Sequence, residues 1–395
     1  MKVQTGLDRL ISDTSLQKQI HGNIAYVCHN ASVTGDLTLG VMALQTIFKE
    51  RLVSIIGPQH GFVCDVQDNM VESSHYVHPY FKIPIHSLYS ETRRPTDEML
   101  KNVDSIIFDL QDVGCRIYTY ISTLKYVMEE CKKRDIHVFV LDRPNPIGGE
   151  QIQGNVLETN YKSFVGVSEI PVRHALTMGE IAHYFNKHDG IGAKLSVIEM
   201  KCWKRKMYFD QTDLPWVNPS PNMASLEAAI FFPGTVIFEG TNISEGRGTT
   251  SSLQLIGHPS IEPFSFLKEL EKRNAFKGIA GFKLLPTIFR PTFQKHAGTS
   301  CGGFLMKVTN RKILNSWALS QILLREIKHI LNDNFKYKLP PYEYVHDLDP
   351  IDIINGNHKL QEWASNYGSN ADLYDLEQQG LTVYQKKRSD ILIYS

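Results

Sequence analysis

Four short apolar runs each end in a dense polar cluster, and no other feature constrains the fold of this chain as strongly. Residues 24–28 run into His29-Asn30-Ala31-Ser32, and 52–56 into Gly57-Pro58-Gln59-His60-Gly61. Residues 105–108 run into Asp109-Leu110-Gln111-Asp112-Val113-Gly114, and 138–141 into Asp142-Arg143-Pro144-Asn145-Pro146. Runs this short and this rich in Val and Ile read as strands buried on both faces. Helical patterns lie between them, over 37–48 and 117–133. In the second pattern Ile121, Leu124, Val127, Met128 and Cys131 form one apolar stripe, which is read as core packing. Strands alternating with helices imply a mainly parallel sheet. In an open α/β sheet, ligands bind outside the carboxyl ends of the strands. The expected fold is therefore α/β, with a Rossmann-like parallel-sheet domain whose edge carries carboxylates, amides, imidazole and guanidinium. Such an edge suits a polar ligand with many hydroxyls.

The later part of the chain has a different texture. A Gly/Pro-rich stretch covers 144–154, and Thr177 is placed to cap a helix over 178–187, with Glu180 in the capping-box position. Residues 95–101 fit a helix start, with Pro95 near the first turn and Asp97 and Glu98 at the positive end of the dipole. Residues 195–200 read as a further strand, whereas 218–222, 232–234 and 240–250 read as loop. Strands are expected over 282–293 and 303–309, and an amphipathic helix over 314–331. The domain boundary is set at 248/249, which leaves a smaller α+β domain over 249–395.

Composition removes several function classes. Forty-two basic side chains balance 42 acidic ones, so a nucleic acid or an anionic membrane is not the expected partner. The cysteines at 28, 64, 115, 131, 202 and 301 form no C-x-x-C pair, which gives no sign of a zinc knuckle or redox motif. No G-x-G-x-x-G follows a strand, and Walker A and H-E-x-x-H are absent. No cofactor and no metal are expected, although His60, Asp109 and Asp112 are kept as a third-ranked metal reading. The start of the chain lacks the apolar stretch of a signal peptide, and no run approaches the ~18 apolar residues of a membrane span. A soluble, cytoplasmic protein is expected. The sequence carries no signal for oligomeric state.

Five segments carry chemistry. Gly57 and Pro58 favour a sharp turn that leaves Gln59 and His60 either facing the crevice or serving as turn structure. Asp109, Gln111 and Asp112 close a strand, and a buried carboxylate there must meet a cation or stay wet. Arg116 is the local candidate for that cation. Arg143 sits in a proline-stiffened loop with Asn145, suited to a ligand carboxylate or to a local salt bridge with Asp142. Arg173 and His174 precede the capped helix, whose N-terminus attracts anions. Residues 238–250 are the densest segment, with Glu239, Glu245 and Arg247 among glycines. Glycosidases commonly use two carboxyl groups about 5–9.5 Å apart, so Glu239 and Glu245 are the acid/base candidates. Glu245 is preferred because Arg247 lies two residues on.

Eight ordered motifs support a family resemblance. They are GPQHGF (57–62), SLYSETRRPT (87–96), FDLQDVGCRIYTYI (108–121), VLDRPNPIGG (140–149), SFVG (163–166), IPVRHALTMGEIA (170–182), WVNPSPNM (216–223) and FEGTNISEGRGTT (238–250). Together they resemble the exo-β-N-acetylmuramidase NamZ family. The resemblance implies a Rossmann-like domain, a smaller C-terminal domain and a cleft between them. It also implies release of N-acetylmuramic acid from the non-reducing end of peptidoglycan-derived saccharides, with a muropeptide or disaccharide fragment as partner. Arg143, Arg173 or Arg247 would hold the lactyl carboxylate, and His60 and Asp112 would orient substrate or water. Asn30, Gln59, Asp109, Gln111, Tyr118, Asn145, His174 and Asn222 complete the implied binding face. One departure stands out: the family usually reads PEHG where this chain has Pro58-Gln59-His60-Gly61, and residues 65–70 depart as well. A glutamine has no carboxyl proton to give. A non-catalytic saccharide-binding protein is therefore the alternative to a glycosidase.

Overall fold

The structure, a computed structural model, describes residues 2–65, 67 and 71–395. The departing stretch 65–70 is thus only partly covered, and Val66, Asp68, Asn69 and Met70 lie outside the described residues. Among the described residues, nine strands precede residue 200: β1 (Ile24–Cys28), β2 (Leu52–Gly57), β3 (Tyr76–Val77), β4 (Pro84–Ser87), β5 (Ser105–Asp109), β6 (His137–Leu141), β7 (Gln153–Val156), β8 (Pro171–Arg173) and β9 (Leu195–Ile198). Seven of them form one sheet in the order β3-β4-β2-β1-β5-β6-β9. All neighbours in it run parallel except the β3 edge.

Alternation explains why these strands read as unbroken apolar runs. Ala25, Val27, Ile106, Phe108, Val138 and Val140 face one core. Their neighbours Ile24, Tyr26, Ile107, Phe139 and Leu141 face the other. Both faces are covered, as a parallel sheet requires. The chain winds outward from β1 to β2 and β4, then returns through β5, β6 and β9 on the other side. This doubly wound order bears out the Rossmann-like expectation.

The second half holds a three-stranded antiparallel sheet of β10 (Leu255–His258), β12 (Cys301–Val308) and β11 (Phe282–Phe289), in that order. The helix Ser316–Leu331, capped by Asn315, packs against Leu226–Thr235. One apolar cluster continues from the parallel sheet through Phe232 to Trp317 and Ile354, so the two halves share a core. Arg116 fastens them. Its buried guanidinium donates to the carbonyls of Asn155, Ile170, Ile354 and Asn355 at 3.0–3.3 Å. It is therefore not the local partner of Asp112.

Three local expectations change. Residues 95–101 form turns rather than a helix start. Residues 232–234 lie inside the helix Leu226–Thr235 despite Pro233. Gly234 suits that place because a Cβ there would collide with the Ser316 carbonyl of the crossing helix. The helix expected from 117 starts at Tyr120, which frees 117–119 as a loop. By contrast, Thr177 and Glu180 form the expected capping box at the helix Met178–His188.

Candidate active site

A polar cleft lies where the β2 turn, the 117–120 loop and the second half of the chain meet. Gln59 and His60 enter it from the turn after β2. Gly57 makes that turn tight, since a Cβ there would stand 2.8 Å from the Phe62 amide nitrogen. His60 takes a positive φ of 70°, a strained conformation of the kind that collects at functional sites. Tyr118 and Thr119 face the cleft from the freed loop, and Asn222 from the 216–223 segment. Tyr120 anchors that segment by donating to the Pro219 carbonyl at 2.6 Å.

The second half contributes the carboxyl groups. Glu239 stands on the 3-10 turn Val236–Gly240 and accepts from Arg247 Nη2 and from the Tyr342 hydroxyl at 2.8 Å. Glu343 enters from a tight turn closed by paired hydrogen bonds between Tyr342 and Val345. Both central residues, Glu343 and Tyr344, have positive φ. That geometry normally selects Asn or Gly, so the chain holds a glutamate at the tip against its backbone preference. Glu343 is 6% exposed. The Tyr89 hydroxyl donates to its Oε2 at 3.0 Å, and Gln59 Nε2 lies 3.4 Å from its Oε1. Thr119 Oγ1 donates to Gln59 Oε1 at 2.6 Å, which turns the amide nitrogen towards Glu343.

Burial pushes the Glu343 carboxyl up to about 7, helped by the nearby charge of Glu239 and opposed by the Tyr89 hydroxyl, Gln59 and Arg93. A carboxyl whose proton affinity rises on folding stabilises the fold most below its unfolded value near 4.5, and that contribution is lost as pH rises through about 7. At pH 8 the buried charge then costs about 2–3 kcal/mol. Glu343→Gln removes it. Urea titrations are expected to show the variant more stable than wild type at pH 8 and level with it at pH 4.5. A constant difference across that range would contradict the shift.

The sequence-selected residues divide into two groups. Gln59, His60, Tyr118, Asn222, Glu239 and Arg247 line the cleft. Asp109 and Arg143 instead form a fully buried pair, with Arg143 Nη2 3.0 Å from Asp109 Oδ2 and Tyr26 donating to the same oxygen at 2.6 Å. Asp109 is thus engaged by Arg143 and Tyr26, which argues against it as a metal ligand. Asp142 does not pair with the Arg143 guanidinium either; it accepts from the Arg143 backbone amide, Thr177, Gly179 and Tyr394. Gln111 donates to the Asp112 and Pro144 carbonyls and lines a separate small recess with Arg143. Asn145 shapes its own turn. Asp112 accepts from the Gly114 amide, with His174 Nε2 3.6 Å away. Arg173 donates to Gln151 and the Ile147 carbonyl, in a different cavity. Neither Asn30, Asp112 nor His174 is part of the cleft wall.

Glu245 is nearly sealed from solvent, its carboxylate set between Arg247 Nε at 3.0 Å and Lys295 Nζ at 2.7 Å. Burial pushes it up, but Lys295 and Arg247 outweigh this and hold it below the usual carboxylate range. It is a poor proton donor and does not line the cleft. Tyr342, Glu343, Thr119 and Tyr89 were not selected from the sequence. Tyr89 and Thr119 lie inside the 87–96 and 108–121 motifs, whereas the run 336–344 that holds Tyr342 and Glu343 has no helix or strand period.

A doubly wound sheet and an antiparallel α+β unit, closing on a cleft with two glutamates, define a two-domain α/β protein built to hold a polar ligand. Residues 24–227 match the family model described as exo-β-N-acetylmuramidase NamZ, N-terminal, and residues 230–394 match its C-terminal counterpart. The chain belongs to the exo-β-N-acetylmuramidase NamZ family. It is 40% identical over 394 residues to the peptidoglycan β-N-acetylmuramidase NamZ of Bacillus subtilis (strain 168), covering 100% of this chain and 92% of that one. A DUF1343 family protein of Bacteroides fragilis NCTC 9343 has the same fold, with a TM-score of 0.88 at 27% identity, over 100% of this chain and 99% of that one. A second from the same organism gives 0.75 at 24%, with the same coverage.

Proposed function

We propose that this protein is an exo-acting glycoside hydrolase that releases N-acetylmuramic acid from the non-reducing end of peptidoglycan-derived saccharides. The observation that carries the reading is the pair of glutamates, Glu239 and Glu343, on one cleft wall. Two carboxyl groups about a scissile bond are the usual equipment of glycoside hydrolysis. Full-length similarity to a peptidoglycan β-N-acetylmuramidase supports the choice of sugar. Arg247 is the one of the three candidate arginines that reaches the cleft, so it is assigned the lactyl carboxylate. His60 and Asn222 position the sugar, and Glu239 presents its carboxylate to the charge that develops at the anomeric carbon. The substrate is a disaccharide or muropeptide fragment met in the cytoplasm. The six cysteines, at 28, 64, 115, 131, 202 and 301, are thiols rather than disulfides, which fits a reducing compartment. No described helix is long and apolar enough to cross a membrane.

The test is release of nitrophenol from the β-nitrophenyl glycoside of N-acetylmuramic acid, with the N-acetylglucosamine analogue alongside. Turnover of the first alone is expected. Tight binding without turnover would favour the saccharide-binding reading that Gln59 keeps open.

A further inference from the structure

Hydrolysis of a sugar–sugar bond needs a proton at the departing oxygen, because an alkoxide is a poor leaving group. Position 59, a glutamate in the usual family motif, is an amide in this chain. We propose that Glu343 supplies that proton, an assignment that rests on the glycosidase reading above. The geometry argues for it in three ways. Glu343 lies against the side chain of position 59, at 3.4 Å, so it reaches the same part of the cleft. It sits at the tip of a turn whose positive φ values disfavour a glutamate unless the side chain is needed there. It also comes from the second half of the chain, so docking the two halves completes the site.

The groups around Glu343 are suited to holding a proton in the neutral range. Burial and the like charge of Glu239 favour the protonated carboxyl, against the hydrogen bonds that Tyr89 and Gln59 donate to it. Tyr342 lies beside it, bonded to Glu239, and Arg247 pairs with Glu239 and Glu245. Arg93 is stacked between the Tyr89 and Tyr344 rings and opposes the rise least. Two carboxyl groups with different surroundings, one ion-paired and one not, form the pattern that separates an acid from a charge-stabilising carboxylate. In the reaction the Glu343 proton passes to the glycosidic oxygen. The bond from that oxygen to C1 breaks, its electron pair stays on oxygen, and the second sugar leaves as an alcohol. Water supplies the oxygen that C1 gains, and its released proton restores the Glu343 carboxyl.

The test compares two substrates with different leaving groups. Nitrophenolate leaves with little help, whereas a sugar hydroxyl needs protonation. Glu343→Gln is expected to lower kcat on a disaccharide with non-reducing N-acetylmuramic acid by about 10²–10⁴-fold. On the nitrophenyl glycoside the loss stays within about tenfold, and the wild-type fall in rate as pH rises through about 7 disappears. Equal losses on both substrates with an unchanged pH profile would overturn the proposal and make Glu343 a prop of the turn. Gln59→Glu adds a second readout that does not remove Glu343. The added like charge is expected to move the fall in rate to higher pH. A silent wild type that gains activity in Gln59→Glu would overturn the proposal and mark position 59 as the lost acid. Silence of both proteins on both substrates would remove the glycosidase reading itself, and Glu343 with it.

Discussion

Glu239→Gln is expected to lower kcat on the disaccharide by about 10²–10⁴-fold while leaving a folded protein. Glutamine keeps the length of the side chain and an oxygen for the Tyr342 hydroxyl, so the cleft wall retains its shape. What is lost is a fixed negative charge in a partly dehydrated cleft, where charge acts most strongly on a cationic transition state. Glu245→Gln makes the comparison. Its carboxylate lies behind the wall between Lys295 and Arg247, and the substitution leaves the buried Lys295 ammonium without its countercharge. The expected cost is stability, about 3–5 kcal/mol by urea unfolding, with turnover largely kept in the folded fraction. Melting curves and kcat measured on the same preparations separate the two. If Glu245→Gln were folded but inactive while Glu239→Gln turned over, the roles would be exchanged, in line with the preference drawn from the sequence alone.

That preference shows where reading a sequence stops. The central strands were legible because both faces of a parallel sheet are covered, which turns each strand into an unbroken apolar run. The capped helix Met178–His188 was legible because its start signals lie within four residues of one another. Glu239 and Glu245 are only six residues apart, yet the fold places one on the cleft and buries the other against Lys295, fifty residues further on. Glu343 was illegible for the same reason taken further. Its contact with Gln59 spans 284 residues, and nothing in an aperiodic run of Lys, Pro and Tyr marks one glutamate as the inward one. Arg143 is different, because the sequence contained enough to place it. Phe108 pairs with Val140 across β5 and β6, which brings Asp109 at the end of β5 and Arg143 just past β6 to the same edge of the sheet. Proximity along the chain suggested Asp142 instead.

Arg143→Ala follows from that neighbour relation and is expected to cost the fold about 3–5 kcal/mol. Asp109 is fully buried, and Arg143 meets both of its oxygens. Truncating the arginine leaves a carboxylate with only the Tyr26 hydroxyl to stabilise it, in a place where water cannot replace the lost charge. The loss is due mainly to that stranded carboxylate rather than to the pair itself. Asp109→Asn added to Arg143→Ala is therefore expected to recover about 2 kcal/mol, an outcome that simple loss of packing would not give. Urea unfolding of the two single variants and the double variant measures both quantities. Because neither residue of the pair lines the cleft that holds Glu239 and Glu343, kcat of the folded Arg143→Ala protein should match wild type. A folded Arg143→Ala protein with kcat reduced as far as Glu239→Gln would instead place substrate at the sheet's switch point, where an open α/β sheet ordinarily binds it.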